Sequence, residues 1–156
     1  MTDIRRMRPS DASGMHEAHT EAVRRICAAH VTLAVVEAWL AGRTPEGYVR
    51  AAQEGESFWV AVDKGNNILG FGSWRCDELV ALYVDPQMHG RGVGRRLFTA
   101  CETDARQNGR SITRLNATLN ATSYYEALGF RKVRDGYNEK RGQRIPHVEM
   151  IREIPR

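Results

Sequence analysis

Glu78-Leu-Val-Ala-Leu-Tyr-Val-Asp-Pro-Gln87-Met-His-Gly90-Arg-Gly92-Val-Gly94-Arg-Arg96 is the stretch in which the hydrophobic period of the chain changes. Leu79 to Val84 are uninterrupted apolar residues closed by Asp85 and Pro86, the pattern of a strand covered on both faces of a sheet. From Val93 the period becomes helical: Val93, Leu97, Cys101 and Ala105 recur every fourth residue, with Phe98 and Ala100 widening the stripe. The spacing predicts an amphipathic helix from Gly92 to about Gln107, ended by Gly109 as a left-handed cap. Gly90, Gly92 and Gly94 stand at its start, where backbone N–H groups without side chains around them can approach an anion at the positive end of the helix dipole. Arg91, Arg95 and Arg96 add positive charge there.

Two familiar phosphate loops are excluded by the residues themselves. A Walker loop requires Gly-Lys-Ser/Thr, which is absent. The dinucleotide fingerprint requires glycine at position 95 or 97, where the chain has Arg95 and Leu97. What remains is Gln-x-x-Gly-x-Gly at Gln87, Gly90 and Gly92 after an apolar strand. This resembles the acyl-CoA pyrophosphate loop of the GNAT superfamily of N-acetyltransferases. Downstream, Asn120-Ala-Thr-Ser-Tyr124-Tyr125-Glu126-Ala-Leu-Gly129-Phe130 resembles the family's later Phe-Tyr-Glu-x-x-Gly-Phe segment. The resemblance is specific between Glu78 and Phe130.

Length, charge and cysteines bound the setting. At 156 residues, with no linker or repeat, residues 1–156 are expected to form a single domain. No apolar run is long enough to span a membrane, the charged start lacks a secretory core, and Cys27, Cys76 and Cys101 fit neither a disulfide framework nor a zinc site, so the expectation is a cytoplasmic protein with reduced thiols and no membrane partner. The net charge of +4 invites a nucleic-acid reading. The arginines are spread out without interleaved aromatics, so no nucleic-acid partner is expected; a basic lean also suits an anionic cofactor.

Along the chain, Ile4 to Arg8 reads as a first strand, and Pro9-Ser10-Asp11 as turn and N-cap for a helix running to about Ala29. Leu33 to Leu40 and Pro45 to Ala52 read as two short helices. Phe58 to Val62 and Ile68 to Trp74 read as a hairpin, followed by the Leu79 to Val84 strand. Ile112 to Leu119 alternates as a strand, then Ala121 to Leu128 as a helix, then Arg131 to Tyr137 and Ile145 to Ile154 as final strands. The expected fold class is α/β (α+β): a mixed, mostly antiparallel central sheet with one parallel pair around the glycine loop, flanked by helices. The resemblance implies that this pair splays, with the pantetheine arm of the cofactor in the gap.

Acetyl transfer to an amine sets three requirements: a base for the ammonium proton, N–H donors at the thioester oxygen, and a proton for the departing thiolate. No metal is required. The resemblance makes Glu78, at the entry of the central strand, the candidate base, directly or through water. Tyr124 and Leu128 are four apart on one helix face, which predicts that Tyr124 packs in the core and Tyr125 points about 100° away. The family pattern also puts its acid on the second aromatic, so Tyr125 is the candidate acid. For acetyl-CoA, the resemblance implies Leu82, Tyr83 and Val84 along the pantetheine and Gln87, Gly90, Arg91, Gly92, Val93, Gly94 and Arg95 around the pyrophosphate. Many relatives have a cofactor asparagine seven residues before this tyrosine; here Asn120 is five before, and is the candidate for that contact. His89 lies in the same loop, either as a further donor to phosphate or as an exposed loop histidine without a role.

For the acceptor, the family's first helices and last hairpin bring His19, Glu21, Trp39, Tyr48, Trp74, Tyr137 and His147 under consideration. His16 and His19 are three apart on a helix, but no third ligand is placed near them, so a solvated face is expected rather than a metal site. The expected activity is an acetyl-CoA-dependent N-acetyltransferase acting on a small-molecule or peptide primary amine by direct transfer through a tetrahedral intermediate. Two alternatives accompany it: acetylation of a protein N-terminus or lysine, and a non-catalytic acyl-CoA sensor. Family folds of this size often pair through edge strands, so a homodimer is among the expectations.

Overall fold

The computed structural model describes residues 2–154. Seven strands form one sheet in the order β1-β2-β3-β4-β5-β7-β6: β1 Asp3–Arg6, β2 Ser57–Val62, β3 Ile68–Arg75, β4 Glu78–Val84, β5 Arg114–Ala117, β6 Arg131–Lys140 and β7 Gln143–Ile151. Five α-helices flank it: α1 Ala12–Arg25, α2 Leu33–Leu40, α3 Pro45–Gln53, α4 Val93–Gln107 and α5 Thr122–Ala127. Every neighbouring pair is antiparallel except β4 and β5. The expected mixed sheet and its single parallel pair are therefore present.

The parallel pair is short. Only Glu78↔Arg114 and Leu79↔Leu115 are in register, although β4 continues to Val84. Beyond Leu79 the two strands part, and the β5 side of Val80 to Val84 has no strand against it. The β3–β4 register shifts at the same place: Ser73 faces Ala81 and Trp74 faces Leu79, leaving Val80 as the extra residue of a bulge. Bulge and splay together expose β4 backbone in the middle of the molecule.

Helix α4 covers one face of this region. Its buried residues are Val93, Leu97, Phe98, Cys101, Asp104 and Ala105, so the stripe read from the sequence is the packed one, with Asp104 added to it. Phe98, Cys101 and Ala105 join Trp74, Leu79, Leu115, Tyr125, Phe130, Val148 and Met150 in one cluster. Asp104, 2 % exposed, accepts from Trp74 Nε1 at 2.9 Å, Trp59 Nε1 at 3.1 Å and Arg6 Nη2 at 2.7 Å. Burial pushes its carboxyl up, but these donors outweigh burial and leave it below the usual carboxylate range. On the opposite face α1 and α3 pack over Met15, Tyr48, Phe58, Val60, Val62 and Phe71. Burying a side chain the size of Phe71 stabilises by about 2–3 kcal/mol, so this second cluster holds α1 and α3 on the sheet.

Several boundaries differ from expectation: β5 is shorter than the Ile112 to Leu119 expected, and β6 runs on to Lys140 while β7 starts at Gln143, leaving a tighter turn. Helix α1 stops at Arg25 and the chain continues as a 3₁₀ turn at Cys27–His30. Asp11 precedes α1 but does not cap it: its carboxylate accepts from the Arg5 guanidinium at 2.8 and 2.9 Å and from Arg8 N–H at 2.7 Å. A charged fork outcompetes a neutral backbone donor.

Candidate active site

Asp85 sets the geometry of the glycine loop by accepting from Gln87 N–H at 2.9 Å, which turns the chain through a 3₁₀ turn at Pro86–Met88. Gly92 then takes φ +77° as the N-cap of α4, a left-handed conformation that a side chain would strain. No side chain caps this helix. Its first N–H groups are accordingly free, and they point along the dipole toward the loop. Gly94, two residues further in, lies under Tyr124: a Cβ there would meet the Tyr124 hydroxyl at 3.3 Å.

These groups line a cavity of about 390 Å³ that runs from the loop along the splayed edge of β4. Its walls are Leu82, Tyr83 and Val84 of β4; Met88, His89, Gly90, Gly92, Val93, Gly94 and Arg95 of the loop and α4; Thr118, Asn120 and Ala121 after β5; Tyr124 and Tyr125 of α5; and Ala22, Ile26 and Cys27 at and after the end of α1. Of the residues expected around a cofactor, Gln87 and Arg91 stand outside this wall, exposed on the loop. Arg96 leaves the loop altogether and donates to the Thr2 carbonyl at 2.8 Å. Sequence reasoning passed over Met88, Thr118, Ala121 and Cys27, because nothing in their local pattern distinguishes them from packing residues. Burial pushes the Cys27 thiol up to about 11, so it is protonated at neutral pH.

The two tyrosines exchange the places expected of them. Tyr125 is buried, 7 % exposed, and packs edge-on against Phe130 and Tyr124, whereas Tyr124 is 38 % exposed. The reason is the length of α5. It ends at Ala127, so Leu128 lies past the last helical turn and cannot define a face with Tyr124. The chain instead folds back so that Leu128 N–H and Phe130 N–H both donate to the Tyr125 carbonyl, at 3.0 and 3.1 Å. This anchors Tyr125 inward. Its ring nevertheless lines the cavity, and burial, then the neighbouring Tyr83, push its phenol well above the ordinary range, keeping it a proton donor.

A second cavity of about 390 Å³ opens on the α1–α3 face of β4, walled by His19, Arg43, Tyr48, Glu56, Phe58, Phe71, Val80, Ala81 and Tyr83 among others. Tyr83 belongs to both cavities and stacks on His19 with ring centroids 3.8 Å apart. Burial and nearby Arg43 hold His19 well below its ordinary pKa, so it is neutral. Glu56 receives the Ser73 hydroxyl at 2.6 Å, and burial raises its carboxyl above the usual range despite that bond.

Glu56 carried no sequence signal beyond standing before an apolar strand. Glu78, the expected base, pairs with Arg114 at 3.2 Å at the starts of the two parallel strands and lines neither cavity. Of the acceptor residues expected, His19 and Tyr48 line the second cavity. Trp74 does not face an acceptor: it is buried under α4, with its indole on Asp104. Glu21 pairs with Arg25 at 2.7 Å one turn along α1. Trp39, Tyr137 and His147 lie outside both walls; the Tyr137 ring lies under Arg144, and His147 packs beside Gly136 in the last hairpin.

Comparison with known proteins joins this geometry to a family. The family model of the acetyltransferase (GNAT) domain matches residues 26–154. An uncharacterized N-acetyltransferase of Bacillus subtilis (strain 168), YjcF, is 30% identical over 104 residues, 64% of this chain and 73% of the relative. A GCN5-related N-acetyltransferase of Rhodopseudomonas palustris superposes with a TM-score of 0.87 at 22% identity, over 99% of this chain and 96% of that one. The PaiA N-acetyltransferase of Thermoplasma acidophilum, in complex with coenzyme A, gives 0.75 at 20% identity, over 98% and 99%. At these identities the structural likeness is one of fold. With the domain match running from the end of α1 through β7, the chain belongs to the GNAT family of acetyltransferases.

Proposed function

We propose that the protein transfers an acetyl group from acetyl-CoA directly to a primary amine, within a single domain. The observation that carries this reading is the meeting of two cavities at Tyr83 on a splayed strand, one opening onto free helix N–H groups and the other onto a half-buried carboxylate.

Acetyl-CoA, when bound, supplies an acetyl thioester. The residues of the first cavity fit it: the loop and the start of α4 offer N–H groups and Arg95 to a diphosphate, and the unpaired edge of Leu82 to Val84 offers backbone partners to an amide-bearing arm. Asn120 adds a polar side chain to the same wall. The bulge at Val80 frees backbone N–H from its β3 partner, a donor for the carbonyl oxygen as charge develops. Tyr125 gives its proton to the departing sulfur. A carboxylate takes the proton of the incoming ammonium, directly or through water, leaving the neutral amine as nucleophile. Glu56 precedes β2 and Glu78 opens β4, at the same end of the sheet with β3 between them, and the role suits Glu56 better, because it lines the cavity and is not ion-paired to an arginine.

Thiol release from acetyl-CoA across polyamines, amino acids, aminoglycosides and short peptides, beside calorimetric titration with CoA, tests the proposal. Release with an acceptor is expected. Absence of CoA binding would overturn the reading, and binding without release by any acceptor would favour a sensor. Glu56→Gln and Glu78→Gln assign the base: the one that flattens the acid limb of the pH-rate profile removes it.

A further inference from the structure

The second cavity has a guanidinium in its wall, Arg43, that no carboxylate among the described residues pairs. Arg43 donates through Nη2 to the Tyr48 hydroxyl at 2.9 Å and to His19 Nδ1, and its cation sits 5.7 Å from the Tyr48 ring centre. Both partners are neutral, since His19 is held unprotonated by burial and by Arg43 itself. Arg43 Nε is sealed from solvent and has no partner at all. Two further cations reach the same corner from the turn between β6 and β7. Lys140 donates to the Trp39 carbonyl at 2.9 Å, and Arg141 brings Nη2 within 3.7 Å of where a Cβ on Gly42 would stand. Among the described residues, none of the three cations forms an ion pair with a carboxylate. A half-buried guanidinium with neutral partners is costly, and the cost falls when a ligand brings the counter-charge.

Glu56 lies in the wall of the same cavity, with Val80 and Ala81 of β4, so the cavity has an anionic wall and a cationic one. We propose that the amine acceptor also carries a carboxylate, an amino-acid-like zwitterion whose ammonium faces Glu56 and β4 while Arg43 grips its carboxylate. This rests on the reading that the second cavity admits the amine. The planar fork of Arg43 suits a carboxylate, and its free Nε–H is a donor that neither His19 nor Tyr48 uses. A plain amine or a polyamine brings only positive charge to the cationic wall, so the site selects against it.

The test compares matched acceptors: the free amino acids, their α-amides, and the corresponding decarboxylated amines, with acetyl-CoA saturating. At least one amino acid should exceed its amide and its amine in kcat/KM by roughly ten- to hundredfold. In Arg43→Met that ratio should fall toward one, mainly through KM, and Arg43→Lys should retain part of it. Calorimetric binding of the same amino acid to the CoA-loaded protein should weaken in parallel, with CoA affinity and a cooperative thermal transition confirming that both variants fold. Equal use of amino acid and amine, a ratio that survives Arg43→Met, or binding of no amino acid would each overturn the proposal. Thiol release with neutral amines or peptides in those cases would leave the acetyltransferase reading standing, whereas loss of CoA binding by the unaltered protein would remove that reading instead.

Discussion

The two faces of the central sheet each hold a carboxylate in apolar surroundings, and the two are treated oppositely. Asp104, under α4, is surrounded by donors from Trp59, Trp74 and Arg6 and is held ionised. Glu56, on the α1–α3 face, has a single serine hydroxyl and an open cavity beside it, and burial favours its protonated form. A saturated carboxylate binds elements together; an unsaturated one beside a cavity retains a lone pair for a proton that arrives with a ligand. The same sheet is thus anchored on one side and left poised on the other.

The sharpest way to break this contrast is Asp104→Ala. It strips the partner from Arg6 and both indoles and should cost about 3–5 kcal/mol in urea denaturation, loosening α4 and the loop it begins. A loss below about 1 kcal/mol would mean that Asp104 is no anchor. Tyr125→Phe follows. It belongs to the anchored core by its ring and to the cavity by its edge, so it should keep stability and CoA affinity while turnover falls roughly a hundredfold, about 2.7 kcal/mol in barrier. Unchanged turnover would remove Tyr125 from the chemistry. Next, Gly92→Ala should cost about 1–2 kcal/mol through its left-handed conformation and weaken CoA binding, as the N–H groups of α4 shift; CoA titration and thermal unfolding read the two effects separately.

Glu56→Gln has the smallest effect on stability and the most telling sign. The folded carboxyl of Glu56 titrates above its unfolded value, so the native state holds the extra proton, and its contribution is present below about pH 4 and declines as pH rises through the raised pKa. The substitution should leave stability unchanged in acid and raise it at neutral pH by less than about 1 kcal/mol, solvent at the cavity mouth screening part of the effect. Asp104 is the mirror case: its folded pKa is lowered, so its contribution is present above about pH 4 and is lost as pH falls through that lowered value. Parallel denaturation curves for Asp104→Asn and Glu56→Gln across pH should therefore slope in opposite directions. Slopes of the same sign would mean that the faces do not differ as described.

The order of strands and helices, the α4 stripe, the parallel pair and the glycine loop were legible in the residues, because each is written in local periodicity and in the few conformations glycine and proline impose. Much of the first cavity was readable for the same reason: its glycine loop and the start of α4 come from one contiguous segment. The second cavity was not. His19, Tyr48 and Val80 come from three elements and Arg43 and Glu56 from the loops before α3 and before β2, and no local pattern shows that they share a wall. Local geometry even misled where an element was too short: the i, i+4 rule assigned Tyr124 inward, and the end of α5 before Leu128 reversed it.

The amino-acid order alone carries the architecture and the glycine loop that opens α4, since both follow from backbone conformation over a few neighbouring residues. Which carboxylate faces a cavity, which tyrosine is buried and which arginine lacks a carboxylate partner became visible only in three dimensions. Burial and charge compensation are properties of what distant segments bring to one place, and no local pattern encodes them.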